Sequence, residues 1–291
     1  MRYRFTKMQG CGNDYVYMDC FTQAVRDPSE LARQMSDRHF GVGSDGLILV
    51  CPPTDSGADF RMRMFNADGS EGRMCGNGVR CAAVFARRCG IITGNEAVVQ
   101  TLAGSKRLAL GQMHGNRCTV RVQMGQPSFL PADLPALCAE ENGIHCRIPV
   151  GKDFLFATLV SVGSPHCVIF SDENPFVGEL AEPDGPAPER LGRMLQASPL
   201  FPVGVNVEFV WQRTPDTLYA RVWERGSGET LSCGTGACAV AAAAVVKGRA
   251  SGGNPLGICM RGGELSVTVT DAGMWLSGDA VFVFDGETDM A

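Results

Sequence analysis

The stretch that decides the fold spans residues 61–85 and reads RMRMFNADGSEGRMCGNGVRCAAVF. It returns in altered form, without a gap, at residues 219–243 as YARVWERGSGETLSCGTGACAVAAA. Cys75 therefore matches Cys233 at a constant offset of 158 positions. Each copy passes from an alternating, strand-like segment through a Gly/Ser turn to Cys-Gly-x-Gly and an apolar run. Such an internal repeat indicates duplicated structural units.

Two further pairs of segments support the duplication. Residues 12–16 (GNDYV) match residues 163–167 (GSPHC) at an offset of 151, and residues 40–45 (FGVGSD) match residues 201–206 (FPVGVN) at an offset of 161. All three matches occur in the same order along the chain. We therefore predict two homologous halves related by a pseudo-twofold axis, each contributing one cysteine to a shared cleft.

Composition narrows the class of protein. The chain has 291 residues, of which 45% are hydrophobic and 20% charged, enough for two globular domains with separate cores. A net charge of −5 makes nucleic acid an unfavourable partner. The longest apolar run is too short to span a bilayer and the chain start lacks a secretory apolar segment, so we expect no membrane association and a cytoplasmic location.

Cysteine and histidine usage argues against a disulfide framework and a metal site. The thirteen cysteines are odd in number and scattered, which suits a reducing compartment. No Cys-x-x-Cys motif occurs, and the four histidines lie far apart in sequence. We expect no metal and no cofactor.

Hydrophobic periodicity predicts an α+β fold. Apolar and polar residues alternate at 60–65 and 117–124, and similar strand-like runs occur throughout the chain. Residues 237–246 are apolar on all sides and residues 79–86 nearly so, which predicts buried helices. Asp27-Pro28 starts one surface helix and residues 188–197 form another.

Together these patterns predict two pseudo-symmetric domains, each a curved, mostly antiparallel sheet wrapped around one central buried helix. We place the first domain at residues 1–118 with 278–291, and the second at 119–277. The final strand, at 281–284, then returns to the first domain.

The cysteine at the start of each buried helix is placed where it could act as an acid or a base. Free backbone N–H groups and the positive end of the helix dipole favour a thiolate and can lower a cysteine pKa. The glycines beside each cysteine allow a ligand close to the backbone, so an α-carboxylate could be held there by N–H groups of both helices. One thiolate could then remove the proton α to that carboxylate while the opposing thiol donates a proton to the other face. The expected result is inversion at carbon.

A free cysteine is most often a small buried hydrophobic residue. We keep that interpretation for the eleven cysteines outside the two Cys-Gly-x-Gly turns: Cys11, Cys20, Cys51, Cys81, Cys89, Cys118, Cys138, Cys146, Cys167, Cys238 and Cys259.

At these motifs the chain resembles the diaminopimelate epimerases, which act without a cofactor in the synthesis of lysine and peptidoglycan precursors. The resemblance covers nearly the whole chain, and the segments that carry it are residues 5–8, 12–14, 38–43, 65–70, 74–80, 165–166, 206–207, 224–226 and 233–236. It implies the two-domain fold with central helices, a homodimer, independence of pyridoxal phosphate and an amino-acid substrate, LL-diaminopimelate, converted to the meso form.

The resemblance also implies roles for individual residues. Cys75 and Cys233 would be the catalytic acid/base pair, and His166 and Glu224 would sit beside the thiols and help set their protonation. The residues expected to bind substrate are Asn13, Asn66, Gly76, Asn77, Asn206, Glu224, Arg225, Gly234 and Thr235. Of these, Gly76, Asn77, Gly234 and Thr235 would cradle the reacting carboxylate, Glu224 would bind the distal ammonium and Arg225 the distal carboxylate.

Two positions depart from the family pattern and leave alternatives open. Ser164 stands where many members have an asparagine that contacts the distal end of the substrate, and Gly46 stands where some have a glutamine. A racemase of another amino acid, such as histidine, with the same two-cysteine chemistry is the close alternative. A non-catalytic small-molecule binder or redox sensor is a third hypothesis. Each helper residue also has a structural interpretation: His166 as a core histidine, Glu224-Arg225 as a surface pair, and the asparagines as turn residues.

Overall fold

The computed structural model describes residues 2–138, 140–185 and 188–290. These residues form two compact units. The first comprises the residues up to Gln123 together with those from Ser277 onward, and the second is Met124–Leu276. The chain crosses between units inside two long strands, Arg117–Gly125 and Gly273–Asp289. The boundaries proposed from the sequence, 118 and 278, fall within the same two strands.

The first unit contains two helices and most of the early strands. Its elements are β1 (Arg2–Gly10), β2 (Asn13–Asp19), α1 (Pro28–Ser36), β3 (Gly46–Cys51), β4 (Phe60–Asn66), β5 (Glu71–Gly72), α2 (Gly76–Arg88), β6 (Glu96–Gln100), β7 (Lys106–His114) and the greater part of β8 (Arg117–Gly125).

The second unit also contains two helices and a series of strands. They are β9 (Cys146–Val150), β10 (Asp153–Ser161), β11 (Pro165–Phe170), α3 (Glu189–Gln196), β12 (Asn206–Thr214), β13 (Thr217–Glu224), β14 (Gly228–Thr230), α4 (Gly234–Val246), β15 (Pro255–Met260), β16 (Gly263–Thr270) and the start of β17 (Gly273–Asp289). Short 3₁₀ turns precede β9 and follow β11.

Strand pairing repeats from one unit to the next. In the first unit the neighbours β1, β2, β3, β4, β6 and β7 pair in the order antiparallel, parallel, antiparallel, parallel, antiparallel. The strands β10, β11, β12, β13, β15 and β16 pair in the same order in the second unit. The α+β fold class and the duplication are therefore confirmed. The last strand returns as expected, since β17 pairs with β1 in the first unit.

Each unit encloses one helix. Helix α2 contacts β1, β2, β3, β4, β6 and β7, while α4 contacts the six matching strands of its own unit. Every residue of α2 from Gly76 to Ala86 is buried. Helix α4 ends where the sequence predicts, with Lys247 followed by Gly248 at φ 69°. Burial on all sides explains why α4 has no polar face.

The surface helices also begin as predicted. The Asp27 side chain accepts a hydrogen bond from the Glu30 N–H at 3.0 Å, and Pro28 occupies the first turn of α1. Helix α3 buries Leu191, Gly192 and Leu195 against its own unit. In the described part of the chain, no helix has the length and apolar character needed to cross a membrane.

The expectation for the other eleven cysteines is right for most of them and wrong for Cys89. Cys89 caps the end of α2 and is exposed, because the helix leaves the core in its last turn. Cys20, Cys138 and Cys259 are half-buried, and the remaining seven are buried.

Candidate active site

Each central helix begins at a cysteine. Cys75 caps α2 and Cys233 caps α4, with extended backbones at φ −128° and −132°. The Sγ atom of each accepts a hydrogen bond at 3.3 Å from the N–H group three residues later, that of Gly78 or Gly236. Because the first N–H groups of a helix lack an intrahelical partner, the sulfur takes the place of an N-cap oxygen. Both sulfurs therefore lie at the positive end of a helix dipole.

The third residue after each cysteine cannot carry a side chain without displacing a neighbour. A Cβ on Gly78 would lie 2.6 Å from Ile48 Cδ1, and a Cβ on Gly236 would lie 2.8 Å from Glu208 Oε1. The glycines thus allow the strands of each unit to approach the helix start closely.

Asn13, for which the sequence predicts a substrate-binding role, contacts the first cysteine. The Cys75 thiol donates to Asn13 Oδ1 at 3.2 Å, and Asn13 Nδ2 donates to Asp45 Oδ2 at 2.7 Å. Tyr15, which the sequence analysis missed, forms a side-chain hydrogen bond with Cys75. Burial and the nearby Cys75 hold the pKa of Tyr15 well above its usual value, so this hydroxyl stays protonated.

The first turn of α2 is organised by an arginine that the sequence analysis treated as part of an apolar run. Arg80 is fully buried, and its Nη2 donates to Asn77 Oδ1 at 2.9 Å. Its Nη1 donates to the Gly76 carbonyl at 3.0 Å. Two of the predicted carboxylate-binding residues are therefore fixed by one guanidinium.

Asn66, for which the sequence predicts a substrate-binding role, ends β4, and its Nδ2 donates to Ser70 Oγ at 3.0 Å. Its backbone N–H donates to the Ser70 carbonyl, so the described bonds of Asn66 close the turn between β4 and β5. The turn interpretation accounts for these contacts.

In the second unit Cys233 is surrounded by polar groups. Glu224, the last residue of β13, forms a side-chain hydrogen bond with Cys233. Thr235 Oγ1 lies 3.3 Å from Cys233 Sγ. Thr230 Oγ1 donates to Glu224 Oε1 at 2.6 Å and holds this carboxylate in place. The structure therefore brings Glu224 and Thr235 together with Cys233 and the adjoining Gly234.

The pKa of Cys233 shifts in the direction opposite to the one that its helix position suggests. Burial, followed by the charges of Glu224 and Glu208, raises the pKa of the Cys233 thiol well above its usual value. Hydrogen bonds from Thr235 and from the Gly236 N–H oppose this shift without cancelling it. The helix dipole is a local effect, whereas the sequence could not show that two carboxylates from other strands face the same sulfur.

The carboxyl of Glu224 is also perturbed. Burial raises its pKa, while the hydrogen bond from Thr230 works in the lowering direction. A carboxyl with a raised pKa is a better acceptor for a thiol proton.

His166 lies in this cluster through Glu208. Neither side chain is exposed to any extent (0% for both), and His166 Nδ1 lies 2.7 Å from Glu208 Oε1. His166 Nε2 lies 2.9 Å from Ser164 Oγ. Sequence reasoning missed Glu208, although a glutamate inside the apolar strand segment VEFVW at 207–211 was a signal that a buried charge has a partner.

Asn206 and Arg225 are brought together at the ends of β12 and β13. Asn206 Oδ1 accepts a hydrogen bond from the Arg225 N–H at 2.9 Å, and Asn206 Nδ2 donates to the Pro165 carbonyl at 3.3 Å. The exposed Arg225 side chain donates from Nη1 to the Val203 carbonyl at 2.8 Å. Asn206 therefore fixes the backbone at the point where Arg225 follows Glu224.

A group of potential metal ligands occurs away from these residues. Among the described residues, Cys138, Glu140 and Cys146 offer ligand atoms that all lie within 4.8 Å of one another. The two Sγ atoms are 2.8 Å apart, and Cys138 Sγ lies 2.7 Å from Glu140 Oε2. The spacing of these residues matches no metal motif that sequence analysis could have used.

Several solved structures share this fold, among them those of a probable racemase, an epimerase and an isomerase. The chain is similar to a probable proline racemase from Agrobacterium radiobacter K84, with a TM-score of 0.69 and 16% identity, covering 99% of this chain and 92% of that one. It is similar to a hydroxyproline epimerase from Agrobacterium vitis, with a TM-score of 0.67 and 16% identity, covering 98% and 92%. A methylitaconate-delta-isomerase shares the fold at a TM-score of 0.67 and 14% identity, covering 99% and 95%. At these identities the likeness concerns the fold alone.

Sequence comparison defines the family. The family model described as diaminopimelate epimerase matches residues 5–130 and 158–283. A diaminopimelate epimerase from Acetivibrio thermocellus is 44% identical over 292 residues, covering 99% of both chains. One from Desulfovibrio desulfuricans is 43% identical over 292 residues, covering 98% of this chain and 97% of that one. The chain belongs to the diaminopimelate epimerase family, which confirms the resemblance noted in the sequence.

Proposed function

We propose that this protein interconverts LL- and meso-diaminopimelate by removing and replacing the proton on one α-carbon, a step in lysine and peptidoglycan precursor synthesis. Family membership over nearly the whole chain supports the substrate. The observation that carries the chemistry is the matched pair of cysteines, each capping a buried helix and each bonded at 3.3 Å to a helix N–H group.

In the proposed reaction, Cys75 and Cys233 act on opposite faces of the same carbon. The thiolate of one takes the α-proton, and the thiol of the other delivers its own proton to the opposite face. The thiol and thiolate exchange roles, so the reaction is balanced without an external acid or base. Helix N–H groups and the side chains of Asn77 and Thr235 bind the substrate carboxylate and stabilise the charge that develops on it. Single donors of this kind contribute roughly 3–4 kcal/mol in other enzymes.

Glu224 is the proposed proton acceptor for Cys233. It is hydrogen-bonded to this thiol, and burial raises its pKa, so a proton can move from sulfur to carboxylate when the substrate binds. Asn13 holds Cys75 through the 3.2 Å bond to its Oδ1. His166 supports the second cysteine through Glu208. Asn66, Asn206 and Arg225 form the rest of the proposed substrate site, with Arg225 offering its exposed guanidinium to the distal carboxylate.

The proposal includes a homodimer, a reaction without pyridoxal phosphate and a cytoplasmic location. The thirteen cysteines suit the reducing conditions of that compartment. Sedimentation equilibrium would measure the oligomeric state. Full activity after treatment with a carbonyl reagent that inactivates pyridoxal phosphate would support independence of that cofactor.

A second candidate is a racemase of another amino acid, such as histidine. The observation that favours it is Ser164, which stands at a position expected to contact the distal end of the substrate and is already engaged with His166 at 2.9 Å. Serine is shorter than asparagine and lacks the amide donors.

One experiment separates these candidates. The protein is incubated in D₂O with LL-diaminopimelate and, in parallel, with single enantiomers of a panel of amino acids, and deuterium at the α-carbon is measured. Exchange and inversion of diaminopimelate alone would support the proposal. Exchange of another amino acid alone would replace it with the second candidate, and exchange of none would favour a binder or redox sensor.

A further inference from the structure

Glu208 and His166 form a buried charged pair that the proposed reaction does not require by itself. Their contact at 2.7 Å joins the neighbouring strands β11 and β12, and both side chains are 0% exposed. Among the described residues, Glu208 Oε2 is one of three buried side-chain polar atoms without a hydrogen-bond partner. A buried carboxylate with an unpaired oxygen is costly, so its presence calls for a local reason.

The pair lies against the start of α4. The position that a Cβ would take on Gly236 is 2.8 Å from Glu208 Oε1, and the Gly236 N–H is the group that donates to Cys233 Sγ. The Glu208 charge is one of the causes that raise the pKa of Cys233, after burial and Glu224. Glu208 therefore acts electrostatically on the sulfur.

The first unit shows that the fold does not need a carboxylate at this place. Tyr15 matches His166 at the offset of 151, and the parallel pairs Tyr15 with Gly46 and His166 with Asn206 are in the same register. Two residues further along, Ile48 therefore matches Glu208. The glycine contacts agree independently, because Gly78 approaches Ile48 as Gly236 approaches Glu208. The same position is apolar beside Cys75 and ionisable beside Cys233.

This register also corrects one detail of the sequence alignment. The matched segments at 40–45 and 201–206 pair Asp45 with Asn206, whereas the strands pair Gly46 with Asn206. The offset on β3 and β12 is thus 160, one less than in the preceding loops.

We propose that Glu208 is a positioning residue that fixes His166 with Nδ1 as the hydrogen-bond donor and Nε2 facing Ser164. An ionised carboxylate can only accept hydrogen bonds, so Nδ1 must keep its proton. Nε2 then lies 2.9 Å from the Oγ of Ser164, which is half-buried.

Glu208 acts on Cys233 through its charge, which opposes a thiolate and is one of the causes that raise the pKa of Cys233, after burial and Glu224. The charged groups described near this sulfur are Glu224 from β13 and Glu208 from β12. The uncharged neighbours are Thr235 and the Gly236 N–H from α4 and Met260 from β15, whose Sδ lies 3.5 Å from the Cys233 nitrogen. This inference rests on the proposed function in one respect, namely that the Cys233 thiolate takes part in proton transfer.

The first test determines which ring nitrogen of His166 carries a proton in the wild-type protein. The side-chain ¹⁵N spectrum of the wild-type protein contains four histidines, and His166 is assigned by comparison with the spectrum of His166→Gln. We expect a protonated Nδ1, either as the neutral Nδ1–H tautomer or as the imidazolium. A neutral imidazole with a bare Nδ1 would overturn the proposal, because Glu208 would then be the donor.

The second test compares Glu208→Gln with Glu173→Gln. Glu173→Gln is a matched control in the same unit, because it also removes a carboxylate that has a basic partner. Glu173 pairs with Lys247 and Arg249, away from Cys233. Alkylation of Cys233 by iodoacetamide is followed against pH by mass spectrometry of its peptide. We expect the midpoint for Glu208→Gln to move to lower pH and that for Glu173→Gln to stay, because only Glu208 opposes the thiolate. An unchanged midpoint for folded Glu208→Gln would overturn the proposal.

The kinetic expectation for Glu208→Gln is a fall in kcat of roughly tenfold or more with KM changed by less than about threefold, since a misoriented His166 affects proton transfer more than binding. Equal effects on kcat for the Glu173→Gln control would indicate a purely structural role and count against the proposal. The spectrum and the alkylation curve use no diaminopimelate. A failure of the substrate assignment would leave both readouts informative.

Discussion

Arg80 donates a hydrogen bond from Nη2 to Asn77 Oδ1 at 2.9 Å, and both side chains are buried at the start of α2. Arg80 Nε is among the buried side-chain polar atoms of the described residues that have no hydrogen-bond partner. A buried cation with an unpaired donor contributes little to stability compared with an apolar side chain of similar volume. Its value lies in fixing Asn77 and the Gly76 carbonyl.

Arg80→Met tests that interpretation. The substitution keeps most of the volume and removes both bonds, so Asn77 can rotate away from the proposed carboxylate site. We expect kcat/KM to fall roughly tenfold, while the free energy of unfolding changes by less than about 2 kcal/mol. Steady-state epimerisation and denaturant unfolding measure the two quantities. Arg88→Met is the control, since Arg88 pairs with Asp285 on the surface. An unchanged kcat/KM for folded Arg80→Met would show that the active site does not need the guanidinium.

The glycine at the third position after each cysteine should be intolerant of a side chain. Gly236→Ala places a methyl group 2.8 Å from Glu208 Oε1, and Gly78→Ala places one 2.6 Å from Ile48 Cδ1. We expect each to lower the free energy of unfolding by about 1–3 kcal/mol through overpacking. Gly178→Ala is the control, because nothing lies within 4 Å of its Cβ position. Thermal or denaturant unfolding of all three variants measures this effect. If Gly236→Ala and Gly78→Ala were as stable as Gly178→Ala, the close approach of Glu208 and Ile48 would be contradicted.

The sequence predicted most of this fold because its signals are local. The apolar run at 237–246 and the stop at Gly248 specify a buried helix on their own, and the repeat shows that the unit occurs twice. Strands such as β2 and β11 give a weaker signal, because they follow glycine-rich turns and carry Asn13, Asp14 or His166, residues that usually mark loops.

The candidate site was predicted less completely, for a physical reason. Cys75 and Cys233 can be recognised in the sequence because each directly precedes a predicted buried helix. The groups that set the pKa of Cys233, however, come from other strands of its unit. Glu208 reaches Cys233 from β12, a relationship that follows from sheet register and is invisible in a linear motif. Arg80 sits in a run that reads as apolar, and only its burial reveals that it organises Asn77.

Replacement of either capping cysteine should abolish inversion. In Cys75→Ser and Cys233→Ser one proton-transfer group becomes a much weaker acid and base, so we expect epimerisation to fall by roughly 10²–10⁴-fold. Measurement of α-proton exchange in D₂O from each stereoisomer separates the two steps. Cys89→Ser is the matched control, since this cysteine is exposed and caps the end of α2. Inversion at an undiminished rate in either capping variant would refute the two-thiol mechanism.

The raised pKa of Cys233 predicts how stability depends on pH. Its folded-state pKa is above the unfolded value of 9.0, so the folded protein retains this proton where the unfolded chain loses it. The contribution to stability is full below the unfolded pKa and decreases as the pH rises toward the folded one. The difference in unfolding free energy between wild type and Cys233→Ala should therefore shrink from about pH 8 to about pH 10. Parallel curves across that interval would mean that Cys233 titrates alike in both states.

Mild oxidation offers a test of the shared reaction centre. If both thiols act on one carbon, they must come close together, and a thiol oxidant such as diamide should remove one hydrogen from each and join them. The pair Cys138 and Cys146 competes for the oxidant, because their Sγ atoms lie 2.8 Å apart. Cys138→Ser eliminates that competitor. In this variant we expect activity to be lost on oxidation and regained with dithiothreitol, and peptide mapping to recover a disulfide between Cys75 and Cys233. Retained activity in a sample where mapping shows both thiols oxidised would contradict their joint role in the reaction.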